Sequence, residues 1–229
     1  QWASYSIDQN ALKAELPDLR FRMTSAGDNP LANILRYKGI TFDQADVRLH
    51  TAAATGIDGH LRMKTLNTGN LQLDSIGLNL LQDTAGVKMK GRVHNYTKRN
   101  PHKFDAGIDA YLLQAGAGAE LTFRDAAGEV GVQLGVRGEI QNGGLNISLY
   151  PEHPIIAYRG FTVNKDNYIF INQEKLIRAN VDLLADDGTG LKVYGEPADS
   201  ANDITLSINR VNLGELSTVL PYLPPMSGS

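Results

Sequence analysis

The chain has 229 residues, 42% of them hydrophobic and 21% charged, with a net charge of -3 at pH 7. These proportions exclude an intrinsically disordered tail, and charge spread over both halves lacks the basic footprint of a nucleic-acid binder. There is no cysteine, which removes disulfides and thiolate metal sites, and no run approaches the roughly 18 apolar residues of a membrane-spanning helix.

The chain starts Gln1-Trp2-Ala3-Ser4, without an initiating Met, a basic n-region or an apolar h-region, and reads as a segment of a longer protein. Asn29 can cap a helix with Pro30 at its first position, running to about Tyr37. From there period-2 alternation dominates, the mark of strands with one apolar and one wet face. Val47 and Leu49 alternate with Asp46, Arg48 and His50; Leu61 and Met63 alternate with His60, Arg62 and Lys64. Within Leu71 to Leu81 the phase changes, Leu71 and Leu73 being followed by Ile76, Leu78 and Leu80, which predicts a β-bulge near Ser75-Ile76-Gly77.

Val87, Met89 and Val93 form the next apolar phase, followed by Leu121 and Phe123, then Val130, Val132, Leu134 and Val136. Leu145, Ile147 and Leu149, then Ala179, Val181 and Leu183, then Ile204, Leu206 and Ile208 complete eight clear strands beside the phase-changing segment. Asn212 with Glu215 three residues on predicts a second short helix over Leu213 to Leu220, stopped by Pro221. Turn formers separate the strands: Thr55-Gly56, Asn67 to Asn70, Asp83 to Gly86, Asp125 to Gly128, Asn142 to Gly144 and Asp186 to Gly188. Such tight links leave no room for parallel crossovers, so the sheet is expected to be antiparallel and meandering.

Candidate chemistry is sparse. His50, His60 and His94 fall on the polar phase, and with His102 and His153 they lack metal-ligand spacing. Asp182, Asp186, Asp187 and Thr189 crowd one turn without the spacing of a calcium loop, and read as a hairpin turn. The glycines at 116, 118, 128, 131, 135 and 138 lie in or between strands and do not open a helix that could hold phosphate. No nucleophile–base arrangement is visible, and Asp105, Asp109 and Glu139 cannot be paired from sequence. Asn95-Tyr96-Thr97 and Asn146-Ile147-Ser148 match the glycosylation pattern by composition alone. Lys98 to Lys103 reads as a solvated basic loop that could touch lipid headgroups. A protein without catalysis, cofactor or metal is expected. With aromatics at 7%, the aliphatic phase is poor in large core fillers and is expected to line something.

The run from Asp203 to Gly228, with Ile-Thr-Leu-Ser-Ile-Asn-Arg-Val-Asn-Leu-Gly-Glu-Leu and then Leu-Pro-Tyr-Leu-Pro-Pro, resembles a recurring segment of the TamB family. Leu71 to Asn95, with Leu-Gln-Leu-Asp-Ser-Ile, an acidic turn and Gly-Arg-Val-His-Asn, resembles the same family in its Bacteroidetes-type style; about 160 residues from Leu71 onward follow the pattern. The resemblance to TamB-like and AsmA-like proteins implies an all-β fold: a long, curved, largely antiparallel sheet, a U-shaped, taco-like groove, with one or two short helices. It implies that residues 1–229 form one elongated groove segment, an interior piece of a periplasmic protein anchored in the inner membrane. The implied function is phospholipid transport between inner and outer membrane, or support of outer-membrane protein assembly. The implied partners are phospholipid acyl chains and, through regions outside this segment, an outer-membrane barrel of the TamA/BamA type. The expected groove residues are Val47, Leu49, Leu61, Met63, Leu73, Met89, Val93, Leu121, Phe123, Val132, Leu134, Ile147, Val181 and Leu206. The same alternation would also serve a closed β-sandwich acting as an adhesion or carbohydrate-binding module.

Overall fold

The computed structural model describes residues 7–69, 71–98, 102–141, 143–198 and 201–210. Among them are fifteen strands and two short helices, and every ladder described is antiparallel. The fold is all-β and largely antiparallel, as the alternation and short turns require. The expected helix over Leu213 to Leu220 lies outside the described residues.

The residues form two compact units. The N-terminal unit, Asp8–Leu113 with Phe123–Glu129, contains helix α1 (Gln9–Ala14), strand β1 (Leu19–Ala26), helix α2 (Pro30–Tyr37) and strands β2 (Gln44–Ala52), β3 (Gly56–Asn67), β4 (Gln72–Gln82), β5 (Gly86–Asn95) and β6 (Phe104–Leu113). Its strands pair in sequence order, with β1 on an open edge. Strand β7 (Gly116–Asp125) gives residues 123–125 to this unit and 116–122 to the other. The C-terminal unit takes the described residues of Gln1–Ile7, Gln114–Thr122 and Val130–Ser229. It adds β8 (Val130–Gln141), β9 (Gly144–Ile156), β10 (Arg159–Gly160), β11 (Thr162–Val163), β12 (Tyr168–Asn172), β13 (Ile177–Leu184), β14 (Gly190–Ala198) and β15 (Ala201–Asn209). Its order is β8-β9-β12-β13-β14-β15, with β10 beside β9, β11 beside β13, and β15 on an open edge.

Helix α2 forms where the sequence places it. Asn29 Oδ1 accepts from the Ala32 N–H at 2.9 Å, Pro30 starts the helix, and Ala32 packs on Phe42 and Ala45, flanked by Met23, Leu35 and Met63. Helix α1 is capped in the same way, Asp8 accepting from Asn10 and Ala11, a signal that the six residues Gln9–Ala14 were too short to make prominent.

The bulge expected near Ser75-Ile76-Gly77 is absent from the ladders of β4. The β4 ladders run without a register shift from Ser75 through Leu81 on both sides, so the strand does not slip at Ser75-Ile76-Gly77. The irregularity is at Thr65 on β3, which adopts φ 54° opposite Asp74, between the pairs Lys64–Ser75 and Leu66–Leu73. Asn95 closes the end of the neighbouring ladder: its side-chain oxygen accepts from the Asp74 N–H at 3.0 Å, and its amide donates to the His102 carbonyl. The Asp74 carboxylate in turn accepts from the Thr97 N–H at 2.6 Å and hydroxyl at 2.9 Å. Asn95 is 0% exposed, so the side chain that matched a glycosylation pattern is an internal stitch.

The turns are held by aspartates. Asp83 accepts from Lys88 Nζ at 3.0 Å and from the Ala85 and Gly86 N–H groups, and its pKa is lowered, first by the Lys88 hydrogen bond and then by that of Ala85. Asp187 accepts from the Thr189 N–H at 2.9 Å and Arg159 at 3.0 Å; its pKa is lowered, first by Thr189. Gly86, at φ 147°, has no room for a side chain, since a Cβ there would lie 2.2 Å from the Leu112 carbonyl.

Two outcomes follow. Asn95→Ala withdraws two buried hydrogen bonds and is expected to cost about 1–3 kcal/mol in denaturant unfolding, whereas exposed Asn79→Ala changes stability by less than about 0.5 kcal/mol. Because the folded pKa values of Asp83 and Asp187 lie below the ordinary 3.8, their contribution is present above that value and is lost as pH falls through the lowered ones. Melting temperature measured from pH 6 to 2 should therefore fall less steeply in Asp83→Asn/Asp187→Asn than in the wild type.

Candidate functional site, an apolar sheet face

Residues directly opposite in an antiparallel ladder point to the same side of the sheet. In the N-terminal unit this assembles three cross-strand rows on one face. The first runs Phe21, Leu49, Gly59, Leu80, Met89, Ala110; the second Met23, Val47, Leu61, Leu78, Gly91, Ile108; the third Ser25, Ala45, Met63, Ile76, Val93, Ala106. Gly91 lets Ile108 settle over the backbone: a Cβ there would meet Ile108 Cγ2 at 2.7 Å. The opposite face carries Arg22, Arg48, His60, Asn79, Lys90 and Asp109 in one row.

The C-terminal unit repeats the arrangement. Gly138, Ile147, Ile169, Ala179, Gly195 and Ile204 form one row, and Val181, Val193 and Leu206 the next. At one end this face is packed. Val163, Val181 and Leu183 are buried, with Leu149, Ile156, Phe161, Ile169 and Val193 against them. Toward edge strand β15 it opens, leaving Leu206 58% and Ile208 61% exposed.

The fourteen expected residues fall into distinct environments. Val47, Leu49, Leu61, Met63, Met89 and Val93 share the face of the N-terminal unit and are all half-buried. Leu73 pairs with Leu66 beyond the Thr65 irregularity, off the phase of Ile76, Leu78 and Leu80, and is buried at 8%. Phe123 stacks on Phe104 with ring centroids 5.5 Å apart. In the C-terminal unit Ile147, Val181 and Leu206 share a face, Val181 within the packed cluster. Val132 opposes Ile156, while Leu134 sits in the register shift between Gln133 and Gly135 and has no ladder partner on β9. Leu121 is 49% exposed. The alternation alone did not single out Met23, Ile76, Leu78, Leu80 and Ile108, which complete the rows. Met23 was legible beside Arg22, but Ile76 to Leu80 were read as a changed phase.

The polar groups that could have suggested chemistry have structural partners. His60 Nδ1 lies 2.8 Å from Asn79 Oδ1, His94 is bound to Asp105, and Asp182 to Lys192 at 2.9 Å. Tyr96 donates to the Asp125 carbonyl at 2.9 Å, and its pKa is raised, first by desolvation. These are cross-strand pairs and turn anchors in contact with solvent, which screens them. What the arrangement offers is a broad aliphatic surface. Comparison with known proteins finds no matching family model, curated protein or solved structure.

A charge scan separates the accessible part of this face from its packed part. Leu61→Asp and Ile147→Asp, whose carboxylates can reach water, are expected to cost about 1–2 kcal/mol, while Val181→Asp buries an unpaired charge and should cost about 3–5 kcal/mol in chemical denaturation.

Proposed function

We propose that this chain is a lipid-carrying segment of an envelope scaffold of the TamB-like and AsmA-like kind, with phospholipid acyl chains lying against the apolar sheet face. The observation that carries the reading is the three apolar rows of the N-terminal unit. Helix α2 covers their corner at Ala45, yet Leu61, Leu78, Met89 and Val93 stay only half-buried. A closed sandwich would bury such residues beneath a second sheet about 10 Å away. A row of Val, Leu, Ile and Met instead shelters methylenes at about 0.8 kcal/mol each and asks for no directional contact, so binding is broad and a chain can slide along it.

In this reading the protein works in the periplasm between the inner and outer membranes. The inner-membrane anchor and contact with an outer-membrane barrel of the TamA/BamA type belong to regions outside this segment. No chemical step is needed, in keeping with polar side chains that serve turns and cross-strand pairs. Support of outer-membrane protein assembly would use the same surface as a scaffold.

Photoreactive side chains at Leu61, Ile76 and Met89 should crosslink to phospholipid acyl chains, and the same probe at Asn79 or Lys90 on the opposite face should not. Leu61→Asp should remain folded and lose most of the crosslinking from Ile76. Equal labelling from both faces, or none from the apolar one, would contradict the proposal.

A further inference from the structure

The polar face of the N-terminal unit is charged unevenly. On β1 to β3 it holds Arg20, Arg22, Arg48, Arg62 and Lys64 against two carboxylates, Asp46 and Asp58, around an open concavity of about 880 Å³. Asp46 is engaged by Arg48 at 3.3 Å and by the Thr24 hydroxyl at 3.1 Å. Arg20, Arg22, Arg62 and Lys64 make no ion pair among the described residues. Arg22 stands directly opposite Arg48, and Arg48 directly opposite His60. Like charges facing each other across a ladder destabilise a sheet, and a solvated face accepts any polar residue in their place. The neighbouring strands show the ordinary solution: on β5 and β6 Arg92 pairs with Asp109 and His94 with Asp105. Arg20, Arg22, Arg62 and Lys64 are thus left without internal compensation, and an anion from outside would supply it.

Phe21 and Leu49, which belong to the first apolar row, also border the concavity. Phe21, on the edge strand, is 47% exposed, and its neighbour Leu19 is 44% exposed. Guanidinium groups match phosphate oxygens two at a time, better than a single ammonium does. Leu19 and Phe21 alternate with Arg20 and Arg22 along this open edge, and such exposed apolar side chains suit the glycerol and first methylenes of a lipid, for which an inorganic anion has no use. We infer that this concavity binds the phosphate of an anionic phospholipid headgroup. The choice of lipid as the ligand rests on the function proposed above, whereas the demand for an anion rests on the charges alone.

The test is flotation of the whole chain with vesicles of phosphatidylcholine, pure or mixed with phosphatidylglycerol, at low salt. The wild type should prefer the mixed vesicles. Arg20→Gln/Arg22→Gln/Arg62→Gln should weaken that binding by about 100-fold, at about fivefold per cation, with a melting temperature no lower than that of the wild type. Lys165→Gln/Arg178→Gln/Lys192→Gln makes the same change in net charge in the other unit and should leave binding intact. Equal loss in both triple variants, or equal binding to pure phosphatidylcholine, overturns the site. Pyrophosphate that binds as tightly as the mixed vesicles and displaces them would assign the cations to a free phosphate and overturn the lipid headgroup. Acyl crosslinks from Ile76 with no headgroup preference would leave the apolar-face reading standing and overturn this one. Headgroup binding lost in the first triple variant, with no acyl crosslinks, would do the reverse.

Discussion

Everything in this fold depends on parity. Side chains alternate with a period of two along a strand, so a ladder keeps apolar residues together only while each pair joins positions of the same phase. From β1 to β6 the register does this five times, carrying the apolar row from Met23 to Ile108 on one face, while Leu81, 50% exposed, is an aliphatic residue left on the wet one. The turns make this possible. Asp83 fixes the connection into β5, and Gly86 lets its strand approach Leu112 where a Cβ would collide with backbone. The one breach, at Thr65, is confined because Asn95 and Asp74 satisfy the backbone around it.

Holding most aliphatic side chains on one face creates a surface that folding by itself leaves incompletely covered. Two small clusters hold the buried apolar residues in contact: one under α2 around Ala45, and one around Val163, Val181 and Leu183. Between these and the sheet edges the rows stay in partial contact with water. An extended apolar surface of this kind usually marks a place where something else binds. Acyl chains suit it because they need only displacement of water, which is the largest favourable contribution available to such a surface. The opposite face obeys different rules: cross-strand ion pairs on β5 and β6 are balanced, and the arginines of β1 to β3 are not.

Much of this was legible in the sequence. The eight alternating runs are all strands, the Asn29-Pro30 signal is a helix, and the turn formers lie between strands. What escaped has identifiable causes. Leu19 to Ala26 alternates, with Arg20, Arg22 and Thr24 on one side, but Ser25 breaks the apolar set of Leu19, Phe21 and Met23 on the other. Phe104 to Leu113 is interrupted by Gly107 and Asp109, whose partners Arg92 and Lys90 are far away in sequence. The phase change in Leu71 to Leu81 was visible, yet it is not a bulge of β4: the ladder keeps its register while Thr65 on the neighbouring strand takes φ 54°, which no period within β4 could reveal. Val181 alternates as Leu61 does, and only the return of Phe161 and Val163 onto β13 buries it. The basic patch was hidden by a net charge of -3, because cations from three strands converge only after pairing.

If the proposed function holds, the apolar rows are open to water until lipid covers them. Because the chain has no cysteine, single substitutions report on one position each. Leu61→Cys, Ile76→Cys and Met89→Cys can be labelled with a water-soluble maleimide in lipid-free protein and again after loading with phospholipid. Rapid labelling without lipid, slowed at least about tenfold with it while Asn79→Cys on the other face is unaffected, is the result expected of a surface that trades water for acyl chains. Thiols that resist labelling in the lipid-free protein, as in a closed core, or that react equally fast in both states, would contradict it.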